Sequence, residues 1–490
     1  MPLPQTGAGV LQPFAHSAFR VLDDQRDANV MTRKKRLDRF YARIWPKLCS
    51  VRVDEYRKIK YNNDGIVFLK TISSKIQMGG FSAMEKMSIS FWIWGMFDDG
   101  GVYHDLDARM RELRERGFNT IRTESLAGFF AGPDGALRER VHIRRPFGPY
   151  GKRVRQMDVL RKDFDLNARE SLLRFFRAAQ RNGVRVILSS WFFLHTNWLL
   201  DDAVNDEIYA LSTAEKFRYF TDEYDRILTL LEENDLEDCL AFYEIFNEFT
   251  GIYFVQQEER GSIRALHERA IDALHARHPW ARAAYDIGAT PDELIPRNAD
   301  VLNYHLYYFW DAYLPFEQGS VVAEAGDPAY GDATRAYTYD QIISVNDIER
   351  VRGGRIRSAI DWERRAALYD SIDPAKLAAL EKTLEAHLRR MSETWFDAFA
   401  EMVRGIVAQR DRVVPDAQLV MGEGVSYCCA NDLLFEEHSA LYWETVKRQA
   451  RLLREAGFAG TVVRTTSGPE DPSWSLRRQD YIEANGIFLA

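Results

Sequence analysis

From Met87 onward the chain alternates between two hydrophobic patterns. Short blocks rich in β-branched and aromatic residues, such as Ile89-Ser90-Phe91-Trp92-Ile93-Trp94, give way to stretches with apolar residues every three or four positions, as at Leu106, Met110 and Leu113. The first pattern predicts a strand and the second an amphipathic helix. Three junctions follow one plan: Glu115-Arg116-Gly117-Phe118-Asn119-Thr120-Ile121-Arg122, Arg181-Asn182-Gly183-Val184-Arg185-Val186-Ile187-Leu188 and Glu455-Ala456-Gly457-Phe458-Ala459-Gly460-Thr461-Val462-Val463. In each, a helix ends on glycine and a strand begins at once, as a short helix-to-strand connection requires.

Counting onward, strands are predicted near 88–95, 118–123, 184–191, 239–247, 282–287, 300–306, 417–423 and 459–465, separated by helical patterns. Eight such units predict a closed parallel (β/α)8 TIM barrel of the α/β class. An open doubly wound sheet is the alternative, but no G-x-G-x-x-G or phosphate-binding loop follows any strand. The barrel is expected over 87–490, with long insertions after strands two and six at about 126–165 and 309–374, and then a long helix from Ala375 to about Gln409. Residues 1–86 do not fit the repeat and are expected to form an N-terminal extension packed on the barrel. Their basic run, Arg33, Lys34, Lys35, Arg36 and Arg39, reads as a solvated helix face interleaved with Leu37, Phe40 and Ile44, or as a phosphate-binding arm.

Composition narrows the function. The 490 residues are 46% hydrophobic, enough for a large core, and a net charge of −8 argues against a nucleic-acid partner. No apolar run is long enough to cross a membrane, and the first residues do not read as a secretion signal, so the cytoplasm is the expected compartment. The four cysteines, Cys49, Cys239, Cys428 and Cys429, lack zinc-site spacing and are expected to be reduced and structural. His275 and His278 stand three apart on a predicted helix with no third ligand nearby, so neither metal nor cofactor is expected. Nothing in the sequence fixes an oligomeric state.

Loops after barrel strands build active sites, so the strand ends carry the chemistry. They offer Arg122 after strand two, Asn247 and Glu248 after strand four, His305 and Tyr307 after strand six, and Glu423 after strand seven. Two carboxylates facing each other across a barrel mouth can flank a glycosidic bond, one protonating the leaving oxygen and one attacking the anomeric carbon. Glu244, four residues before Glu248, is either a buried partner of Arg122 or a lower-layer barrel residue.

Four motifs here resemble those of clan A glycoside hydrolases of the cellulase-like, family-5 type. These are Phe118-Asn119-Thr120-Ile121-Arg122, Tyr243-Glu244-Ile245-Phe246-Asn247-Glu248, His305-Leu306-Tyr307 and Val420-Met421-Gly422-Glu423. The resemblance implies a retaining β-glycosidase with Glu248 as acid/base, kept protonated until the leaving group departs, and Glu423 as nucleophile; the lack of a secretion signal favours a small oligosaccharide or glycoside as substrate. It also implies that Asn247 binds the sugar 2-hydroxyl, that His305 lines the sugar subsite, and that Arg122 and Tyr307 hold Glu423 ionised.

Three positions depart from the family pattern: Phe249 stands where Pro is usual, Ser189-Ser190-Trp191 where a His is common, and Arg464-Thr465-Thr466 where a Trp usually stacks under the sugar. Trp191, Trp94 or Trp310 could replace that platform, or be core. Arg464 and the basic insertion (Arg138, Arg140, Arg144, Arg145, Lys152, Arg153, Arg155) either select an acidic or phosphorylated saccharide or, for the loop, simply meet solvent. A barrel that binds carbohydrate without catalysis is the alternative function. A metal-dependent hydrolase would need ligands at strand ends that the sequence does not offer.

Overall fold

In the computed structural model the residues described are 85–92, 97, 101–143, 163–191, 202–248, 262–287, 290–307, 374–424, 432–465 and 467–490. Eight strands close on themselves: β1 (Met87–Phe91), β2 (Thr120–Glu124), β3 (Arg185–Ser189), β4 (Leu240–Glu244), β5 (Ala283–Ile287), β6 (Val301–Leu306), β7 (Gln418–Gly424) and β8 (Gly460–Val462). Each is parallel to its sequence neighbours, and β8 returns to β1 through Met87↔Gly460, Ser88↔Thr461 and Ile89↔Val462. Every residue of β1 and β2 is buried. Strands covered on both faces cannot use polar alternation, which is why β1 is a block of apolar and small residues, and why the charged Arg122 and Glu124 of β2 need partners inside the barrel.

The surrounding helices are α1 (Leu106–Glu115), α2 (Ala168–Arg181), α3 (Thr213–Glu232), α4 (Ile263–Arg277), α5 (Leu377–Val413), α6 (Ala440–Glu455) and α7 (Arg478–Leu489). Their starts are written locally: Asn167 accepts from the Glu170 amide ahead of α2, and Ser212 with Glu215 forms a reciprocal capping box ahead of α3. The three glycine junctions share one geometry. Gly117, Gly183 and Gly457 have φ of 84°, 59° and 80°, and the next amide reaches back five residues: Phe118 N to Leu113 O, Val184 N to Ala179 O and Phe458 N to Leu453 O. That is the Schellman ending, which needs a left-handed residue after the helix.

Two features differ from the sequence reading. Between β5 and β6 the described residues carry only a one-turn 3-10 helix, Asp292–Leu294, where a full helix was expected. β4 also ends at Glu244 rather than reaching Asn247. The apolar run continues, but Phe246 turns into an aromatic cluster with Phe217, Phe220 and His267, while the Asn247 amide donates to Ser190 O at 2.9 Å. Hydrophobicity alone cannot tell a ladder residue from one that leaves the ladder for such a cluster.

The barrel unit comprises Glu85–Gly288 and Leu294–Ala490. Of the first insertion, residues 126–143 and 163–165 are described, and its ends pair as a ribbon, Val141–Ile143 against Phe164–Leu166. The helix expected at 375–409 is α5, 37 residues long. The second insertion up to residue 373 and the extension over 1–84 lie outside the described residues, as do Cys49, Cys428 and Cys429; Cys239 is buried and free. No helix among the described residues is long and apolar enough to cross a membrane.

Candidate active site

Arg122 of β2 has no exposed surface, and a guanidinium so buried requires partners on every side. Strands β3, β4, β5 and β7 and the loop after β4 provide them. Nη1 donates to Glu423 Oε1 at 2.5 Å. Nη2 lies 2.5 Å from Asn247 Oδ1, 2.8 Å from Glu244 Oε2, 3.1 Å from Ser189 Oγ and 3.3 Å from Asp286 Oδ2. Its two hydrogens cannot serve four acceptors at once, so Asp286, the farthest, is served least. Burial works against the Arg122 charge, but Glu244, Glu423 and Asp286 outweigh it and raise its pKa above the ordinary value.

Glu423 stands near the end of β7, 6% exposed, and both of its oxygens are engaged. Arg122 holds Oε1, and the Tyr307 hydroxyl donates to Oε2. The chain here needs glycine: Gly424 has φ of 150°, and a Cβ on it would lie 2.5 Å from the Leu306 carbonyl oxygen. β6 can therefore approach β7 closely enough to deliver Tyr307.

Glu248 enters from the bend after β4, with φ of 47° and a side chain 42% exposed. Its Oε1 lies 2.9 Å from His305 Nδ1. Nε2 of the same imidazole is 3.1 Å from Asp286 Oδ2 and 3.7 Å from Glu423 Oε1. One oxygen each from Glu248 and Glu423 and one nitrogen of His305 all fall within 4.8 Å of one another.

The electrostatics follow from this crowding. Burial disfavours the charged imidazole, but Asp286, Glu423 and Glu248 prevail and set His305 well above its ordinary pKa. Burial would likewise raise Glu248, yet the hydrogen bond and charge of His305, with Arg122 beyond, leave it below the usual glutamate value. Sequence reading expected surroundings that keep Glu248 protonated; the structure instead supplies a cationic neighbour that draws its pKa down. Asp286 is pushed up to about 7, chiefly by burial.

Glu248, His305 and Glu423 could donate to a divalent ion, but the donor set fits one poorly. Arg122 and Tyr307 already occupy both Glu423 oxygens, and an ion would have to replace a proton on His305 close to a fixed guanidinium.

The structure thus brings together Arg122, Asn247, Glu248, His305, Tyr307 and Glu423, and it resolves Glu244 as a buried partner of Arg122. It does not bring in Arg464. That side chain is fully buried, with Nη2 2.6 Å from Glu436 Oε2 and 2.9 Å from Glu437 Oε1, and Nη1 bonded to Asp471. Three carboxylates use its charge inside the protein, which removes it as a contact for an acidic substrate. Trp191 is also corrected: at 2% exposure it lies 5.0 Å from the Arg122 guanidinium and edge-on to Phe91, so it packs the arginine rather than offering an open sugar platform. Its amide is held by Glu124 Oε2 at 3.0 Å. Trp94 and Trp310 lie outside the described residues, as do Arg144, Arg145, Lys152, Arg153 and Arg155; Arg138 pairs with Glu207.

Sequence reading missed Asp286, Asn303 and Glu124. Asn303 donates to Glu244 Oε1, and Glu124 tethers the loops after β2 and β3. Asp286 and Asn303 are polar residues inside predicted barrel strands and Glu124 directly follows one, and that alone could have marked each as a partner for something buried.

Residues 89–285 match a family described as cellulase-like, sugar-binding. No curated protein sequence matches significantly. Among solved structures, a candidate glycoside hydrolase from Parabacteroides distasonis aligns with a TM-score of 0.55 at 15% identity, over 83% of this chain and 94% of its own. A family 5 mannosidase from Rhizomucor miehei aligns at 0.40 and 11% identity over 83% and 93%, and a broad-specificity endoglucanase from Bacteroides salanitronis at 0.41 and 13% over 85% and 100%. The fold is a closed (β/α)8 barrel, and the structure from Parabacteroides distasonis shares it.

Proposed function

We propose that this cellulase-like barrel is a retaining β-glycosidase, with Glu423 as nucleophile and Glu248 as acid/base. One observation carries the reading: carboxylate oxygens of Glu248 and Glu423 approach within 4.8 Å. Retaining enzymes hold the two carboxyls about 5–5.5 Å apart, whereas inverting enzymes leave about 6.5–9.5 Å for a water molecule. The fold and the cellulase-like match over 89–285 support a carbohydrate substrate.

In the first step a Glu423 oxygen attacks the anomeric carbon while Glu248 protonates the departing oxygen. In the second, Glu248 takes a proton from water, whose oxygen displaces Glu423. Arg122 and Tyr307 aim the nucleophile by holding both of its oxygens. Asn247 has its Oδ1 turned to Arg122, which leaves its amide N–H groups to donate to the sugar 2-hydroxyl. The substrate proposed is a small oligosaccharide or glycoside.

The Glu248–His305 pair, which favours an ionised Glu248, supports a second reading, a barrel that binds carbohydrate without turnover. A screen of aryl β-glycosides followed by proton NMR of the first sugar released tests both. The expected product is the β-anomer; release of the α-anomer first sinks the retaining mechanism, and binding without turnover of any glycone favours the second reading.

A further inference from the structure

Asp286 takes no part in the chemistry above, yet it stands directly behind it. The groups around His305 are Glu248 from the loop after β4, Asp286 from β5 and Glu423 from β7, with Arg122 of β2 contacting both Asp286 and Glu423. Glu244 of β4 and Tyr307 after β6 bond to Arg122 and Glu423 respectively. Of these, Asp286 Oδ2 is the nearest neighbour of Nε2, at 3.1 Å, and Glu248 Oε1 faces Nδ1 at 2.9 Å. Asp286 has a fully buried side chain, its Oδ1 has no hydrogen-bond partner among the described residues, and neither does His305 Nε2, so the 3.1 Å approach of Oδ2 to Nε2 is a charge contact off the N–H axis. Its other close donor, Arg122 Nη2, is shared with three nearer acceptors. Such a carboxylate gains most from an imidazole N–H.

A neutral imidazole carries one hydrogen, and the partner of one nitrogen decides what the other can do. We propose that Asp286 is a positioning residue for the acid/base: it keeps the His305 proton on Nε2, so that Nδ1 is the nitrogen that shares a proton with Glu248. The role given to Glu248 rests on the glycosidase reading above.

With the proton present, the Glu248–His305 pair delivers it to the leaving oxygen as the glycosidic C–O bond breaks. With it gone, the Glu248 carboxylate faces an unprotonated Nδ1 and is a stronger base. It then takes a proton from the water whose oxygen bonds to the anomeric carbon as the bond to Glu423 breaks. The negative charge of Asp286 keeps the proton on the pair to higher pH, and the same arrangement lets one group serve as acid and then as base.

Asp286→Asn keeps the shape and removes the charge. Measured on aryl β-glycosides of whichever glycone is turned over, its basic limb of kcat/KM is expected to fall about one pH unit below that of the wild type. The loss on phenyl glycosides, which need protonation, should exceed the loss on 2,4-dinitrophenyl glycosides by about tenfold or more. Equal losses on both with unmoved pH limbs mean that Asp286 is merely structural and overturn the proposal. Should the variant not fold, nitrogen NMR of 15N-histidine-labelled wild type, with His305 assigned by its absence in His305→Gln, decides the matter. The spectrum is read at a pH high enough for His305 to have lost one proton: a neutral ring protonated at Nε2 supports the assignment, and one protonated at Nδ1 overturns it. If no glycoside is hydrolysed, the glycosidase reading falls by itself, while the tautomer still supports or overturns the placement by Asp286.

Discussion

At the scale of single residues, Arg122 is the side chain on which the others depend. It is planar, permanently charged and forked, so one guanidinium can hold Glu423, Glu244 and Asn247 at once. Lysine presents a point charge and cannot reproduce that fork. Arg122→Lys is expected to lower kcat/KM by about two orders of magnitude with a smaller change in KM, measured by steady-state kinetics on an aryl glycoside. His267 makes a different prediction. It lies buried between Phe217, Phe246 and Tyr285, and burial lowers its pKa to about 3. The unfolded chain takes up that proton near pH 6.5 and the folded one near 3, so stability falls as pH drops through this window, by up to about 1.4 kcal/mol per pH unit. Replacing His267 with Phe should flatten the acid side of a Tm-versus-pH curve; an unchanged slope would mean that the imidazole is charged in the folded protein. The residues proposed to carry the chemistry were legible because the strand ends display them in the order of the motifs they resemble. Asp286 was not, because a single Asp inside Ala283–Ile287 gives no sign of its partner until β6 places His305 beside it.

At the scale of elements, the sequence spoke clearly where local chemistry decides the structure. The three helix-glycine-strand junctions and the capping box on α3 follow from backbone geometry within a few residues. The end of β4 did not follow, because Ile245 and Phe246 are as apolar as ladder residues and only tertiary packing draws them off the ladder. The segment from Gly422 to Gly424 permits a sharper test. Gly424→Ala adds an atom 2.5 Å from the Leu306 carbonyl oxygen at a backbone angle that side chains avoid. It is expected to cost about 1–3 kcal/mol from the backbone alone and to disturb Tyr307, so that thermal stability and activity fall together. Gly457→Ala meets nothing within 4 Å and should show only a modest drop in Tm with activity intact. Equal behaviour of the two variants would contradict the close approach of β6 to β7.

At the scale of the whole molecule, two arginines with no exposed surface, Arg122 and Arg464, have different duties. Arg122 gathers the mouth, whereas Arg464 just beyond β8 ties Glu436, Glu437 and Asp471 into one cluster. Removing one partner of a buried ionic cluster costs about 3–5 kcal/mol because the remaining charges lose their compensation. Arg464→Met is therefore expected to lower Tm strongly while KM for neutral and uronate-bearing glycosides stays in the same ratio. A selective loss on uronates would restore the reading of Arg464 as a substrate contact. The sequence marked Arg464 as unusual but could not reveal its partners, since Glu436 and Glu437 lie almost thirty positions away on a short helix. Architecture was the most legible level, because eight repeats of one local pattern leave few ways to close a sheet.

In the proposed mechanism everything turns on Glu423 attacking the sugar and forming a covalent bond to it. Incubating the protein with a 2-deoxy-2-fluoro aryl β-glycoside of its preferred glycone, followed by peptide mass mapping, tests this directly. The expected result is one sugar per chain, attached to Glu423, with release of the aryl group and loss of turnover, and no label on Glu423→Gln. A protein that hydrolyses the parent glycoside yet takes up no label, or takes it up on another residue, would contradict it.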